Sequence, residues 1–176
     1  MNSEDACKFT DHICRLAPVI PVLVIEDATI AEPLAEALIS GGLPTLEVTL
    51  RSAAALDAIR AMSKVVGATV GAGTLLSGQD VRAAKEAGAV FGVSPGATDN
   101  LLQACEDSDM PLLPGAATAS EVMCLMERGY RMQKFFPAEA SGGVPALQSS
   151  GGRLPQVTFC PTGGIGAVNA PTYLAL

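Results

Sequence analysis

Residues 44–51 read Pro-Thr-Leu-Glu-Val-Thr-Leu-Arg, and the alternation in them is strict. Leu46, Val48 and Leu50 share one face of an extended chain; Glu47, Thr49 and Arg51 share the other. Six further apolar runs recur along the chain: P-V-I-P-V-L-V-I (18–25), A-T-V-G-A-G-T (68–74), V-F-G-V-S-P-G (90–96), P-L-L-P-G (111–115), M-Q-K-F-F-P (132–137) and V-T-F-C-P (157–161). Between most of them lie amphipathic stretches of helical period, at 28–40, 52–64, 78–87, 99–106 and 119–128. Asp27, Ser77, Thr98 and Thr118 precede four of these as N-cap types. Gly41, Gly67, Gly88 and Gly129 stand near helix ends, where a left-handed residue is favoured. Strands rich in Val, Leu and Ile that alternate with helices predict βαβ units and a parallel sheet.

Two architectures accommodate such units: an open doubly wound sheet and a closed (β/α)₈ TIM barrel. An open sheet that binds a nucleotide carries a glycine-rich turn after its first strand. Here that strand runs into V-I-E-D-A-T-I, without a glycine. Polar residues stand instead at the C-terminal ends of several strands: Glu47, Thr74, Ser94, Lys134 and Thr162. One rim fed by many strands is the barrel pattern. The expected fold is therefore an α/β barrel with seven βα units, the eighth strand and helix being absent. Residues 1–176 read as one domain, with an N-terminal helix over 1–16 and barrel units one to seven over 17–176. Seven units leave two unpaired sheet edges, so the expectation is a fragment or a gap filled by a partner.

Composition narrows the function. Lys and Arg number 11 against 18 Asp and Glu, a net charge of −7, with no basic run, which excludes nucleic-acid binding through phosphate contacts. Aromatic residues make up 4% and Trp is absent, so base-stacking platforms are excluded too. Charged residues are 16%, against about 25% in ordinary soluble domains, which points to surface buried between subunits of a homo-oligomer. The longest nearly apolar run, 16–25, contains two prolines and is half of what a spanning helix needs (about 20 residues). The acidic N-terminus lacks the positive start of a signal peptide. The chain thus reads as soluble and cytoplasmic, with no membrane contact. His12 is the single histidine, which excludes a Ser-His-Asp system within one chain and the usual zinc sites built on several histidines. The five cysteines form no C-x-x-C pair, and Cys160 reads as a core residue.

Lys134 is the lysine set inside a strand, sharing a face with Met132 and Phe136. Burial disfavours the charged form of a lysine, and a neutral amine is the nucleophile that imine formation requires. A structural ion pair is the competing reading. Glu47 needs a partner if it faces a barrel interior; Lys134 or Arg51 could supply it. Beside an amine, such a carboxyl group can move protons. Thr74 and Thr162 carry small hydroxyl donors after strands, and Gly163 and Gly164 in C-P-T-G-G-I-G leave backbone N–H groups open to an anion, or form an ordinary turn. Ser94, Pro95 and Gly96 read equally as a turn alone.

These strings, in this order, resemble the 2-keto-3-deoxy-6-phosphogluconate (KDPG) aldolase / 4-hydroxy-2-oxoglutarate aldolase family of class I aldolases. E-V-T-L-R and K-F-F-P-A-E carry the resemblance most specifically, and it runs from Ala17 to about Leu176. The resemblance implies Lys134 as the Schiff-base lysine and Glu47 as the proton shuttle. It implies that Arg51, Thr74 and Thr162 hold anionic groups of the substrate, that Gly163 and Gly164 line its phosphate side, that Phe136 packs near the lysine and that Pro95 contributes to the substrate site. It further implies cleavage of KDPG to pyruvate and glyceraldehyde 3-phosphate, and of 4-hydroxy-2-oxoglutarate to pyruvate and glyoxylate. A protonated imine serves as electron sink, so no cofactor or metal is implied. A homotrimer is. The family continues into an eighth strand, a phosphate-binding turn and a final helix, which are absent here, and G-A-A-T-A-S-E stands where relatives read closer to G-I-S-T. Two other expectations compete: an incomplete barrel without turnover acting as an interaction module, and a phosphate-binding barrel without imine chemistry.

Overall fold

The computed structural model describes residues 3–176. Helix α1 (Ser3–Cys14) leads into β1 (Val22–Leu23), a 3₁₀ turn (Ala28–Ile30) and α2 (Ala31–Ser40). Then β2 (Thr45–Thr49), α3 (Ala55–Met62), β3 (Thr69–Gly73), α4 (Gly78–Ala87), β4 (Phe91–Val93) and α5 (Asp99–Asp107) alternate. The run 111–115 is interrupted at Pro114 into β5 (Leu112–Leu113) and β6 (Gly115–Ala116), because proline has no N–H to give the ladder. Helix α6 (Ala119–Glu127), β7 (Met132–Phe135), α7 (Gly143–Arg153), β8 (Thr158–Pro161) and α8 (Ala170–Leu174) complete the order.

Every strand pairing is parallel. One sheet runs β1-β2-β3-β4-β5 and the other β6-β7-β8. The segment around Pro114 joins them: Ser94 N–H donates to Leu113 O on one side, and Lys134 N–H donates to Pro114 O on the other. The result is a curved wall of seven staves, with β1 and β8 as its terminal strands.

Side-chain alternation sorts the wall into two faces. Leu46, Val48, Val70, Ala72 and Leu112 point outward into a core with Ala35, Ala58, Ile59, Met62, Val81, Ala84 and Leu101 of the helices. Alanine at the helix contacts lets the backbones approach closely. Phe91, Val93, Leu113 and Met132 point inward and pack with Ile13 of α1. That helix plugs the N-terminal end of the wall, held where Thr45 Oγ1 donates to Ile13 O at 3.0 Å.

Caps set the helix starts. Ser77, Thr98 and Thr118 each accept a backbone N–H with the side chain, and Thr118 with Glu121 forms a reciprocal capping box. Asp27 caps the 3₁₀ turn rather than a helix. Gly41 differs from the sequence reading: it keeps right-handed geometry (φ −78°), and Gly42 takes the left-handed turn (φ +88°).

Candidate active site

Glu47, in the middle of β2, and Lys134, in β7, both point into the interior, 4% and 5% exposed. Lys134 Nζ lies 3.5 Å from Glu47 Oε1, and that oxygen accepts no hydrogen bond. Burial pushes the Glu47 carboxyl above its ordinary range, outweighing the opposing pull of Lys134 and, more weakly, of Arg51. A carboxyl group tuned upward beside an amine, with a free lone pair, is a competent proton acceptor and donor.

Two glycines of β3 make the room. A β-carbon at Gly73 would stand 2.2 Å from Glu47 Oε1, and one at Gly71 would stand 2.3 Å from the Phe91 ring. Neither glycine figures among the residues picked from the sequence. The signal was present in V-G-A-G, since alternate glycines in a strand mark close approach of a neighbour. Directly after them Thr74 takes φ +63°, a conformation a β-branched residue adopts at a cost.

Phe136 continues the inward face of β7, with its ring centroid 5.1 Å from Lys134 Nζ in cation–π geometry. The Phe136–Pro137 peptide is cis. Gly163 (φ +104°) packs against the same ring: a β-carbon there would meet Phe136 at 3.3 Å. The ends of β7 and β8 are laced together, Ala138 N–H donating to Thr162 O at 2.8 Å and Glu139 N–H to Gly163 O at 3.1 Å. Thr162 and Gly163 line, with Glu47 and Cys160, a cavity of about 580 Å³ that opens between β1 and β8. Gly164 (φ +78°) instead lies against the Glu139 side chain.

Other residues picked from the sequence sit further out. Arg51 lies beyond the end of β2, exposed at the rim, and its Nε donates to Thr49 Oγ1 at 3.2 Å. Its alternation with Glu47 ends where the strand ends, so Arg51 does not enter the interior with the carboxylate. The ion pair of Glu47 is made with Lys134, not with Arg51. Pro95 is half-buried after β4, its carbonyl crowding Gly115, the register partner of Lys134. Cys160, read as core, is the other register neighbour of Lys134. Parallel strands pointing one way bring Thr74, Pro95 and Thr162 to the same C-terminal rim, as in barrel enzymes.

The comparisons with known proteins agree with this arrangement. The family described as "Aldolase: KDPG and KHG aldolase" matches residues 10–176. The chain is 51% identical over 167 residues to the KHG/KDPG aldolase of Escherichia coli (strain K12), covering 94% of this chain and 78% of that protein. It superposes with a TM-score of 0.92 and 51% identity on the 2-keto-3-deoxy-6-phosphogluconate aldolase of Zymomonas mobilis ZM4 solved with 3-phosphoglycerate, over 95% of this chain and 80% of the other. A KDPG aldolase from Legionella pneumophila, solved with pyruvate captured as a covalent carbinolamine, matches with a TM-score of 0.89 and 45% identity, over 93% and 80% of the two chains. With that likeness added to a buried lysine–carboxylate pair inside a parallel α/β wall, the chain belongs to the KDPG and KHG aldolase family.

Proposed function

We propose that this chain is a class I aldolase, a carbon–carbon lyase that cleaves 2-keto-3-deoxy-6-phosphogluconate to pyruvate and glyceraldehyde 3-phosphate, and 4-hydroxy-2-oxoglutarate to pyruvate and glyoxylate. The observation that carries the reading is the 3.5 Å ion pair between Lys134 Nζ and the buried Oε1 of Glu47. An amine must shed its proton to attack a carbonyl, and a carboxylate with raised proton affinity receives it. Lys134 adds to the C2 keto carbon, and Glu47 returns the proton to the carbinolamine oxygen, which leaves as water. The protonated imine then draws in the electron pair of the C3–C4 bond as the C4 hydroxyl loses its proton. The aldehyde departs, and the enamine left on Lys134 is protonated at C3 by Glu47. Water hydrolyses the imine to release pyruvate.

Around that pair, Arg51, Thr74, Pro95 and Thr162 bind the substrate, the arginine and threonines holding its anionic groups. Gly163 and Gly164 form the phosphate side, and Phe136 covers the lysine. Support comes from the rim position of Arg51, Thr74, Pro95 and Thr162, and from the packing of Gly163 on Phe136. We read residues 1–176 as a single barrel domain, cytoplasmic and homotrimeric, serving the Entner–Doudoroff route of carbohydrate metabolism. The subunit contacts are supported by the low charge content and by exposed apolar side chains such as Val19, Val22 and Val24, each more than 40% accessible. No described helix is long and apolar enough to cross a membrane.

The test is pyruvate release by the purified chain from each of the two substrates, followed through a coupled dehydrogenase. The reading expects release from both, and loss of release in Lys134→Ala. Turnover of neither substrate, by a chain whose thermal unfolding shows it folded, contradicts it.

A further inference from the structure

Cys14 ends the plug helix α1, and Cys160 lies on the inward face of β8, in register with Lys134. Both line the cavity that opens between β1 and β8, and both pack on the inward cluster of Ile13, Phe91, Val93, Leu113 and Met132. Their thiols are neighbours there, each perturbing the other. These two groups come from opposite ends of the chain. The plug is tied to β2 through Thr45 and Ile13, while β8 pairs within the sheet only with β7 among the described residues.

We propose that Cys14 and Cys160 are a redox modification site, at which a peroxide drives formation of a disulfide that fastens the plug helix to the terminal strand β8. The neighbouring Cys14 draws the Cys160 thiol below its ordinary range, with a smaller pull from Lys134, against its burial and the Glu47 carboxyl, while the Cys14 thiol is pushed up. The place of Cys160 in register beside Lys134 assigns the roles. The Cys160 thiolate attacks one peroxide oxygen, the O–O bond breaks, and hydroxide leaves, giving a sulfenic acid on Cys160. The Cys14 sulfur then attacks the Cys160 sulfur, the S–O bond breaks, and the hydroxyl departs as water with the Cys14 proton. The two thiols are oxidised together by two electrons, and hydrogen peroxide is reduced to two waters. The bond links β2, through the plug, to β8. It therefore braces the strand that carries Thr162 and Gly163 at its end.

Trypsin separates the cysteines cleanly. Residues 9–15 carry only Cys14, residues 154–176 only Cys160, residues 86–128 hold Cys105 with Cys124, and Cys7 lies before residue 9. The folded chain is treated with stoichiometric hydrogen peroxide and mapped without reduction. The expected product is peptide 9–15 joined to peptide 154–176 with the loss of two hydrogens. It is reversed by dithiothreitol, retained in Cys124→Ser and absent in Cys14→Ser. Closing so long a loop raises the Tm of the oxidised chain by about 5 °C or more, and dithiothreitol removes the rise. Oxidation confined to the exposed Cys124, or Cys160 advanced to a sulfinic acid with Cys14 still a free thiol, overturns the proposal.

Discussion

Gly73 and Glu47 are fitted to one another: a single added methyl group on residue 73 would overlap the carboxylate oxygen that faces Lys134. The glycine leaves the space that the Glu47 carboxyl fills, and β3 holds that space because it is paired on both sides, to β2 and to β4.

Gly73→Ala therefore pushes Glu47 away from the lysine. Misplacement by about 1 Å of a proton-transfer group costs on the order of 10²-fold in rate. The variant is expected to lose kcat by that order, with a stability cost of about 1–3 kcal/mol from overpacking. Steady-state kinetics alongside urea unfolding checks both. Unchanged kcat with only a stability loss would show that the approach of the two residues is not needed.

Glu47→Gln keeps the shape and removes the proton transfer, so kcat falls about 10²–10⁴-fold. The same variant reports on pH. Burial raises the folded-state affinity of Glu47 for its proton above the unfolded value. The stability it contributes is thus present below the unfolded value, 4.5, and is lost as pH rises through the folded one. The Tm of Glu47→Gln relative to the native chain is expected to be higher at pH 7 than at pH 4. A difference that is flat in pH, or of opposite sign, contradicts the assignment.

Thr74 holds its left-handed conformation at a cost of about 1–2 kcal/mol. Thr74→Gly relieves it while giving up the hydroxyl group. The expected outcome is a Tm that does not fall, together with a raised KM for the keto acid substrate. A large drop in Tm would show that the threonine side chain is there for packing.

Thr118 and Glu121 cap α6 reciprocally at the exposed surface. Thr118→Ala is expected to lower stability by about 1 kcal/mol, a fall in Tm of about 2–4 °C, and to leave kcat/KM unchanged well below the transition. This variant separates loss of fold from loss of function in the others.

The wall of strands was legible because its apolar and polar residues alternate, and the caps at Ser77, Thr98 and Thr118 were legible because a hydroxyl precedes each helical period. Pro114 was harder: the run 111–115 reads as one strand, yet the missing N–H divides its pairing between two neighbours. Helix α7 is Gly-Val-Pro-Ala-Leu-Gln-Ser-Ser-Gly-Gly-Arg, a composition with poor intrinsic helix propensity. What stabilises it is tertiary: Leu147, Val144 and Ala146 pack on Phe135 and Tyr173. In the site, strand parity put Glu47 and Lys134 on inward faces, which the structure bears out. Parity could not carry Arg51 inward past the last residue of β2, nor show that Cys160 stands beside the lysine, since that depends on the register of two strands distant in sequence.

The proposed chemistry requires a covalent bond from Lys134 to a keto acid, and borohydride reduction in the presence of pyruvate reads that bond directly. Reduction of the imine is predicted to fix one pyruvate-derived group on the chain, and peptide mapping to place it on Lys134 alone, with the yield sharply reduced in Glu47→Gln. A folded chain that takes up no adduct, or takes it up on Lys8, Lys64 or Lys85 instead, would contradict it.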